Sequence, residues 1–345
     1  MRESARDIRT CLDPFGGSGT TALACQFLGV RPATVEVNPY LADLIEAKLS
    51  SYDGDALAKS LAKIIRTMQG IKSNIRRFDG LPPTFIQSNQ ADRWVFNRTV
   101  AGRLGAYLDA IDGLQDSTHR RFFRALLGGM LVQVSNIIVN GKGRRYRRNW
   151  EDRPISTPYV DRIFKERAQK AIVEVHSYRH RSERNYDLHR GDCRTALKGL
   201  PNADLAVFSP PYPNSFDYTD VYNVELWMLG YLADSDDNRE LRQSTLCSHV
   251  QIKRQFSDAP EGSNLLKKTL RKLDKTRDNL WSPWIPEMVG AYFHDMNTVM
   301  QDLHPCLSPS GETWIVVGDS RYAGVHISTA DILAELAPEL NLRDG

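Results

Sequence analysis

The chain has 345 residues, 41% of them apolar and 25% charged, which suits one large soluble domain or one domain carrying an inserted module. A net charge of +3 is too mild to demand a polyanionic partner by itself, and cysteines at 11, 25, 193, 247 and 306 form no CxxC pair and no zinc spacing. No apolar run reaches transmembrane length and Met1-Arg2-Glu3 opens no signal peptide, so reduced thiols, a cytoplasmic location, no membrane partner and no metal are expected.

Thr10-Cys11-Leu12 is a brief apolar approach and predicts the first strand of a sheet. The loop Asp13-Pro14-Phe15-Gly16-Gly17-Ser18-Gly19-Thr20-Thr21 follows at once. A helix is predicted over 21–28, closed by Gly29, and Ala33–Val37 reads as strand two. Glu36 stands 23 residues beyond Asp13, where a strand-end carboxylate can grip both hydroxyls of a ribose. Strand, glycine loop, helix, strand and terminal acid make a nucleoside-binding unit. Gly17-x-Gly19-x-x-Ala22 also satisfies a loose dinucleotide fingerprint, so NAD competes for the assignment, whereas no GK[ST] follows to make a P-loop. An acid such as Asp13 suits a cationic sulfonium–ammonium ligand. A pyrophosphate would favour an uncharged approach to the helix.

Residues 38–68 continue as amphipathic helix. The third strand waits until Tyr186–Arg190, which leaves 71–185 as a mostly helical insertion with helices over 94–111, 119–134 and 158–175. Lys142, Arg144, Arg145, Arg147, Arg148 and Arg153 crowd between two of these helices, on a predicted loop that also carries Tyr146 and Trp150. Arginines for phosphate and aromatics for stacking are what a nucleic-acid contact needs, with a solvated basic loop as the plain alternative. Gly191-Asp192 ends the third strand, and Asp192 could equally cap the next helix. Asp204–Phe208 reads as strand four and stops at Ser209-Pro210-Pro211-Tyr212, where two prolines stiffen the exit at the ligand edge of the sheet. Ser209 and the Pro210 carbonyl can accept from an amino group, and Tyr212 offers a flat face. A helix is predicted over 221–232, another over 267–277 within a second basic cluster, and a third over 286–303. Strand five is expected at Thr313–Val317, after a turn at Ser308–Gly311.

Together, the DPFGGSGTT loop and the SPPY corner closely resemble the motifs of the S-adenosylmethionine-dependent amino-methyltransferases that act on DNA. The resemblance covers most of the chain from Leu12 to about Val325. It implies an α/β, Rossmann-like class I methyltransferase with a mainly parallel sheet, divided as 1–70 for cofactor, 71–185 for target recognition and 186–345 for catalysis. By that resemblance Asp13 to Thr20 and Glu36 hold S-adenosylmethionine, Asp192 reaches its adenine end, and Ser209, Pro210, Pro211 and Tyr212 hold a base flipped out of double-stranded DNA. The serine form of the corner is most similar to the cytosine-N4 branch, within restriction-modification or another defence system. Adenine-N6 methylation, guanine-N2 methylation of RNA and an inactive DNA-binding remnant are the alternatives. The remnant arises because only twelve residues precede Asp13 and the chain ends at Gly345, before the antiparallel hairpin that completes the family's sheet. Pro305-Cys306 resembles the nucleophile of cytosine-C5 enzymes, but it precedes a strand at the opposite edge and reads as structural.

Overall fold

The computed structural model describes residues 7–89, 91–140, 143–200 and 202–337. β1 (Thr10–Asp13) and β2 (Arg31–Glu36) are buried apolar runs on either side of α1 (Thr20–Leu28). Gly19 and Gly29 bound α1 at φ 80° and 74°, a left-handed conformation that a β-carbon would strain. The single helix expected over 38–68 is two, α2 (Pro39–Leu49) and α3 (Gly54–Gly70). Asp53 is extended and accepts hydrogen bonds from the N–H groups of Asp55 and Ala56, which starts a new helix there. α4 (Arg98–Asp112), α5 (Ser117–Met130) and α6 (Thr157–Ser177) follow, the last two capped by Asp116 and Ser156.

Between α5 and α6 the arginine-rich segment is only partly a loop: Arg144 and Arg145 lie on a strand, and Arg147, Arg148 and Arg153 follow it outside any strand or helix. β3 (Ile137–Asn140) and β4 (Gly143–Tyr146) pair as an antiparallel hairpin, with Ile138 opposite Arg145 and Val139 opposite Arg144. The apolar run Ile137–Val139 supplies the partner strand that charge counting overlooks. Lys142 lies outside the described residues.

The chain then builds β5 (Asp187–Arg190), α7 (Cys193–Ala196), β6 (Ala203–Phe208), α8 (Tyr218–Val221), α9 (Asn223–Met228), α10 (Ser235–Gln243) and α11 (Asn264–Lys275). It finishes with α12 (Ile285–Leu303), β7 (Leu307–Ile315), β8 (Ser320–Tyr322), β9 (Val325–Ile327) and α13 (Thr329–Leu336). The helix expected over 221–232 is thus two short pieces. β7 starts six residues before the expected strand. Its register slips between Leu307, opposite Ala203, and Glu312, opposite Leu205, so the Ser308–Gly311 stretch bulges from the edge. A β-carbon on Gly311 would meet the Ala203 carbonyl at 3.0 Å, so glycine lets the bulge close.

The main sheet runs β5-β2-β1-β6-β7 with every neighbouring pair parallel, an α/β Rossmann-like arrangement. β8 and β9 form their own two-stranded antiparallel sheet. Strand order reverses at β1, so the crevice beyond the carboxyl ends of β1 and β6 is the switch point where such sheets take ligands.

The chain divides into two compact units. The first comprises Met1–Ala42, Asn185–Tyr218 and Arg239–Gly345, and contains the sheet. Its core joins Leu12, Val35, Ala206 and Phe208 to Met288, Tyr292, Met296 and Val299 of α12. The second comprises Asp43–Arg184 and Thr219–Asn238, so it begins ahead of the insertion and takes back a later segment. Tyr107, Phe123 and Phe164 pack at its centre, with the Tyr107 and Phe164 rings 4.5 Å apart.

In the first unit the Tyr292 hydroxyl is buried without a hydrogen-bond partner among the described residues. Burial raises its pKa far above the ordinary tyrosine value. An unsatisfied hydroxyl costs about 1–3 kcal/mol, while the ring fills core volume. Tyr292→Phe is therefore expected to leave stability equal or raise it by about 1 kcal/mol. Tyr292→Ala should lose about 3–5 kcal/mol, both read from denaturant midpoints.

Candidate active site

All the site geometry described here belongs to the first unit. β1 and β6 are hydrogen-bonded neighbours, Cys11 beside Leu205 and Leu12 beside Ala206. The loops that leave them, Asp13–Thr20 and Ser209–Tyr212, therefore start side by side at one edge of the sheet. Two stretches nearly two hundred residues apart in sequence meet because their strands pair.

The Asp13 carboxylate is 5% exposed and accepts from the N–H of Phe15 at 2.9 Å, which turns the chain into the glycine loop. Phe15 packs on Phe208 with ring centroids 5.6 Å apart, linking the two loops through the core. Gly16 donates to the Val35 carbonyl, and Gly17 sits at φ 52°. Ser18 and Thr20 approach each other through their hydroxyls at 3.3 Å. Pro14 and Gly19 are buried. The N-terminus of α1 has no side-chain cap and no acidic residue in its first turn.

Glu36 ends β2 at 7% exposure. One carboxylate oxygen accepts from Gly17 N–H at 2.6 Å and the other from Asn38 N–H at 2.7 Å, so the acid holds the glycine loop in place. Burial pushes the Glu36 pKa up to about 7 and that of Asp13 up to about 6. The two acids carry their charge reluctantly until something cationic, or something that donates hydrogen bonds, stands against them.

Beyond β5, Gly191 N–H donates to the Glu36 carbonyl at 3.0 Å. Asp192 caps α7 through the N–H of Arg194 and takes the Arg194 guanidinium on both oxygens. Arg194 also reaches Asp295 at 2.9 Å.

Ser209 is exposed, Pro210 buried and Pro211 half-buried. The Ser209 hydroxyl donates to the Val316 carbonyl at 2.9 Å, and its oxygen lies 3.1 Å from the Tyr212 hydroxyl. A serine has one proton; with that committed to Val316, the Tyr212 hydroxyl must be the donor of the second bond. One lone pair of Ser209 stays open toward solvent. The corner is thereby built as an acceptor. Gly318, just past β7, backs the Tyr212 ring: a β-carbon there would come within 3.2 Å of it. Tyr322 donates to the Pro213 carbonyl at 2.9 Å, and Phe216 meets Tyr218 edge to face at 5.0 Å.

Val316 escaped sequence reading because it acts through its carbonyl, whereas Gly318 stands where the sequence puts the ligand edge and acts through what it lacks. A glycine directly after a predicted strand at the ligand edge is the only signal available. Cys306 is buried and donates to the Leu197 and Asp302 carbonyls, at the amino end of β7. Among the described residues no cluster of His, Cys, Asp and Glu suits a metal, and no helix is long and apolar enough to cross a membrane.

The arginines of the hairpin, in the second unit, differ in what they do. Arg147 donates to the Val132 carbonyl at 3.0 Å and the Ser135 carbonyl at 3.4 Å, and Arg153 donates to the Ser135 and Gln133 carbonyls. Both satisfy carbonyls of the turn that joins α5 to β3. Arg144 reaches Asn223 at 3.3 Å and lies over the Phe85 ring. Arg145 and Arg148 are exposed.

No protein-family profile matches the chain. It is 26% identical to the type II methyltransferase M.AvaI of a Nostoc species and, equally, to that of Anabaena variabilis, over 97% of this chain and 73% of those proteins. It is 22% identical to the type II methyltransferase M.BsoBI of Geobacillus stearothermophilus over the same shares. Over nearly its whole length the chain is similar to curated type II methyltransferases.

Proposed function

We propose that the chain is a site-specific, S-adenosylmethionine-dependent DNA methyltransferase whose target is the exocyclic amine of a flipped cytosine. The observation that carries the reading is the pairing of β1 with β6, which brings a glycine loop held by Glu36 beside an acceptor corner at Ser209. The names of the relatives support it, and with them we extend the proposal to a restriction or defence partner.

The residues fit the cofactor. Glu36 offers carboxylate oxygens at a strand end for ribose hydroxyls, and buried Asp13 favours a cationic neighbour. Uncapped N–H groups at the start of α1 suit a carboxylate. Asp13 to Thr20, Glu36 and, next to Gly191, Asp192 would hold it. When bound, S-adenosylmethionine supplies an electrophilic methyl on its sulfonium. The chain's own part is to orient the amine. The open lone pair of Ser209, aided by the Pro210 carbonyl, accepts the amine's protons, so the nitrogen lone pair turns away from the ring and toward the donor. Tyr212, braced by Gly318, offers the base a surface. Position and fixed dipoles then do most of the catalytic work. Extruding the base costs a few kcal/mol, which stacking on Tyr212 offsets.

The test is to incubate the chain with S-adenosylmethionine and mixed-sequence duplex DNA, digest to nucleosides and weigh the product. N4-methylcytosine is expected. N6-methyladenine would overturn the base but keep the acceptor corner, and methylated guanosine from RNA would overturn the substrate class.

We also propose that the hairpin of the helical insertion binds DNA phosphates through Arg145 and Arg148, with Arg144 and Lys142 alongside. Every arginine–phosphate pairing removed should flatten the log-affinity versus log-salt slope by roughly 0.9. Arg145→Ala with Arg148→Ala is therefore expected to lower the slope by about 2 with an unchanged melting temperature. Arg147→Ala should instead lower the melting temperature, because it frees the Val132 and Ser135 carbonyls of the turn between α5 and β3. An unchanged slope in the double variant would make the hairpin an ordinary solvated surface.

A further inference from the structure

α11 has two unlike faces. Leu266, Thr269 and Leu273 are buried toward α12, while Lys267, Lys268, Arg271, Lys272 and Lys275 are exposed. Of the nearby acids, Glu261 pairs with Lys267, Asp274 pairs with Arg277, Glu335 accepts from Ser263 and the Leu265 N–H near Lys268, and Asp278 is exposed at the end of the stretch. The short connection to α12 carries two largely exposed tryptophans, Trp281 at 64% and Trp284 at 58% exposure, the second with its ring 6.4 Å from that of Phe256. That connection is fixed: Arg277 binds Asp274 at 2.8 Å and both oxygens of Glu287 at 2.8 and 3.0 Å. An indole held in water forgoes about 1.5–3 kcal/mol of burial, so two on one rigid segment beside a cationic face point to a partner.

The topology says where this face lies in the first unit. α12 ends at Leu303 and feeds β7, whose first residue, Leu307, pairs with Ala203 at the amino end of β6. α12 packs on the sheet, so it runs back along the strands and its start lies at the carboxyl edge. Nineteen helical residues span about 28 Å, against about 20 Å for six-residue β6, so the start of α12 reaches that edge. Burial first, and after it the Tyr218 and Tyr212 hydroxyls, raise the pKa of Tyr292, two turns into α12, in keeping with this direction. α11 also packs on β9, and the hairpin partner β8 holds the Pro213 carbonyl through Tyr322.

We infer that the exposed face of α11, with Trp281 and Trp284, is a second DNA-binding surface, flanking the base corner at the carboxyl edge of the sheet. Lys268, Arg271, Lys272 and Lys275 take backbone phosphates, and the two indoles lie against sugars or an unstacked base beside the target. The inference rests on the DNA reading above and adds a clamp that reads no sequence.

The experiment is a salt titration of labelled-duplex anisotropy with the full chain. Replacing Lys268, Arg271, Lys272 and Lys275 by glutamine should flatten the slope by roughly 3 to 4 and weaken binding at least tenfold at physiological salt. Trp281→Ala with Trp284→Ala should weaken binding about tenfold with little change of slope, and should remove most of the tryptophan quenching seen on adding DNA. The four cationic side chains are exposed, so their glutamine variants should not move the melting temperature, and the single variant Lys272→Gln should lower the slope by about 0.9. An unchanged slope and unchanged quenching in variants of a chain that still binds and methylates duplex would overturn this surface and leave the proposed function standing. Loss of self-association in sedimentation, with the DNA slope intact, would make it a protein interface and overturn the inference. A wild-type chain that binds no duplex at all would overturn both.

Discussion

Ser209→Ala is expected to lower the methyl-transfer rate on the order of 10²–10³-fold while leaving cofactor affinity unchanged. The hydroxyl is an acceptor because its one proton goes to the Val316 carbonyl. Alanine removes the lone pair meant for the amine and also leaves Tyr212 without its hydrogen-bond acceptor. Single-turnover rates at saturating cofactor, together with a calorimetric titration, separate the two effects. Tyr212→Phe sharpens the test. It keeps the ring over Gly318 and frees a second lone pair on Ser209, so the rate should change only a few-fold, whereas Tyr212→Ala should cost on the order of 10²-fold. A Ser209→Ala enzyme within threefold of wild type would remove the acceptor corner from the mechanism.

The second large effect is on cofactor affinity as a function of pH. Burial raises Asp13 to about 6 and Glu36 to about 7. In the free protein both acids hold their protons more tightly than in the unfolded chain. Their ionisation between about pH 4 and 7 therefore lowers stability as pH rises. A cationic ligand with ribose hydroxyls reverses the preference, because it favours the carboxylates. Affinity for S-adenosylmethionine should thus rise with pH, by up to about three orders of magnitude between pH 5 and 8, since each unit below a required pKa costs up to tenfold and pH 5 lies about one unit below Asp13 and two below Glu36. Binding near pH 6.5 should release protons, read by calorimetry in buffers of different ionisation enthalpy. Glu36→Gln should bind weakly at every pH and show a much flatter profile, with Gly17 losing its 2.6 Å acceptor as a further cost. Affinity independent of pH in the wild type would mean that these two acids do not meet the ligand.

What the residues alone determined is local. Strands β1, β2, β5 and β6 are short runs, mainly apolar in all but β5 and stopped by glycine, proline or an acid, and each lies within three residues of where the sequence puts it. The glycine loop and the SPPY corner each combine residue types whose roles follow from backbone freedom and ring stiffness, so both candidates could be named without coordinates. Asp53, by contrast, splits a continuous amphipathic pattern, because a side-chain cap competes with the helix at a point where periodicity sees no break. The hairpin β3–β4 depends on pairing between a basic strand and an apolar one, a cross-strand relation that no window along the chain contains. The early start of β7 depends on a bulge that Gly311 permits against Ala203.

Only the tertiary structure decided what the arginines and the serine do. Arg147 and Arg145 are two residues apart and look alike in sequence, yet one is committed to carbonyls of the turn between α5 and β3 and the other faces water. A hydroxyl is donor and acceptor alike until its neighbours are known. Ser209 is an acceptor because the Val316 carbonyl, more than a hundred residues away, arrives at the end of the adjacent parallel strand and takes its proton. Sequence supplies the functional groups. Their protonation, their free lone pairs and their exposure are set by which strand pairs with which, because hydrogen bonds and burial act over a few ångströms and ignore distance along the chain.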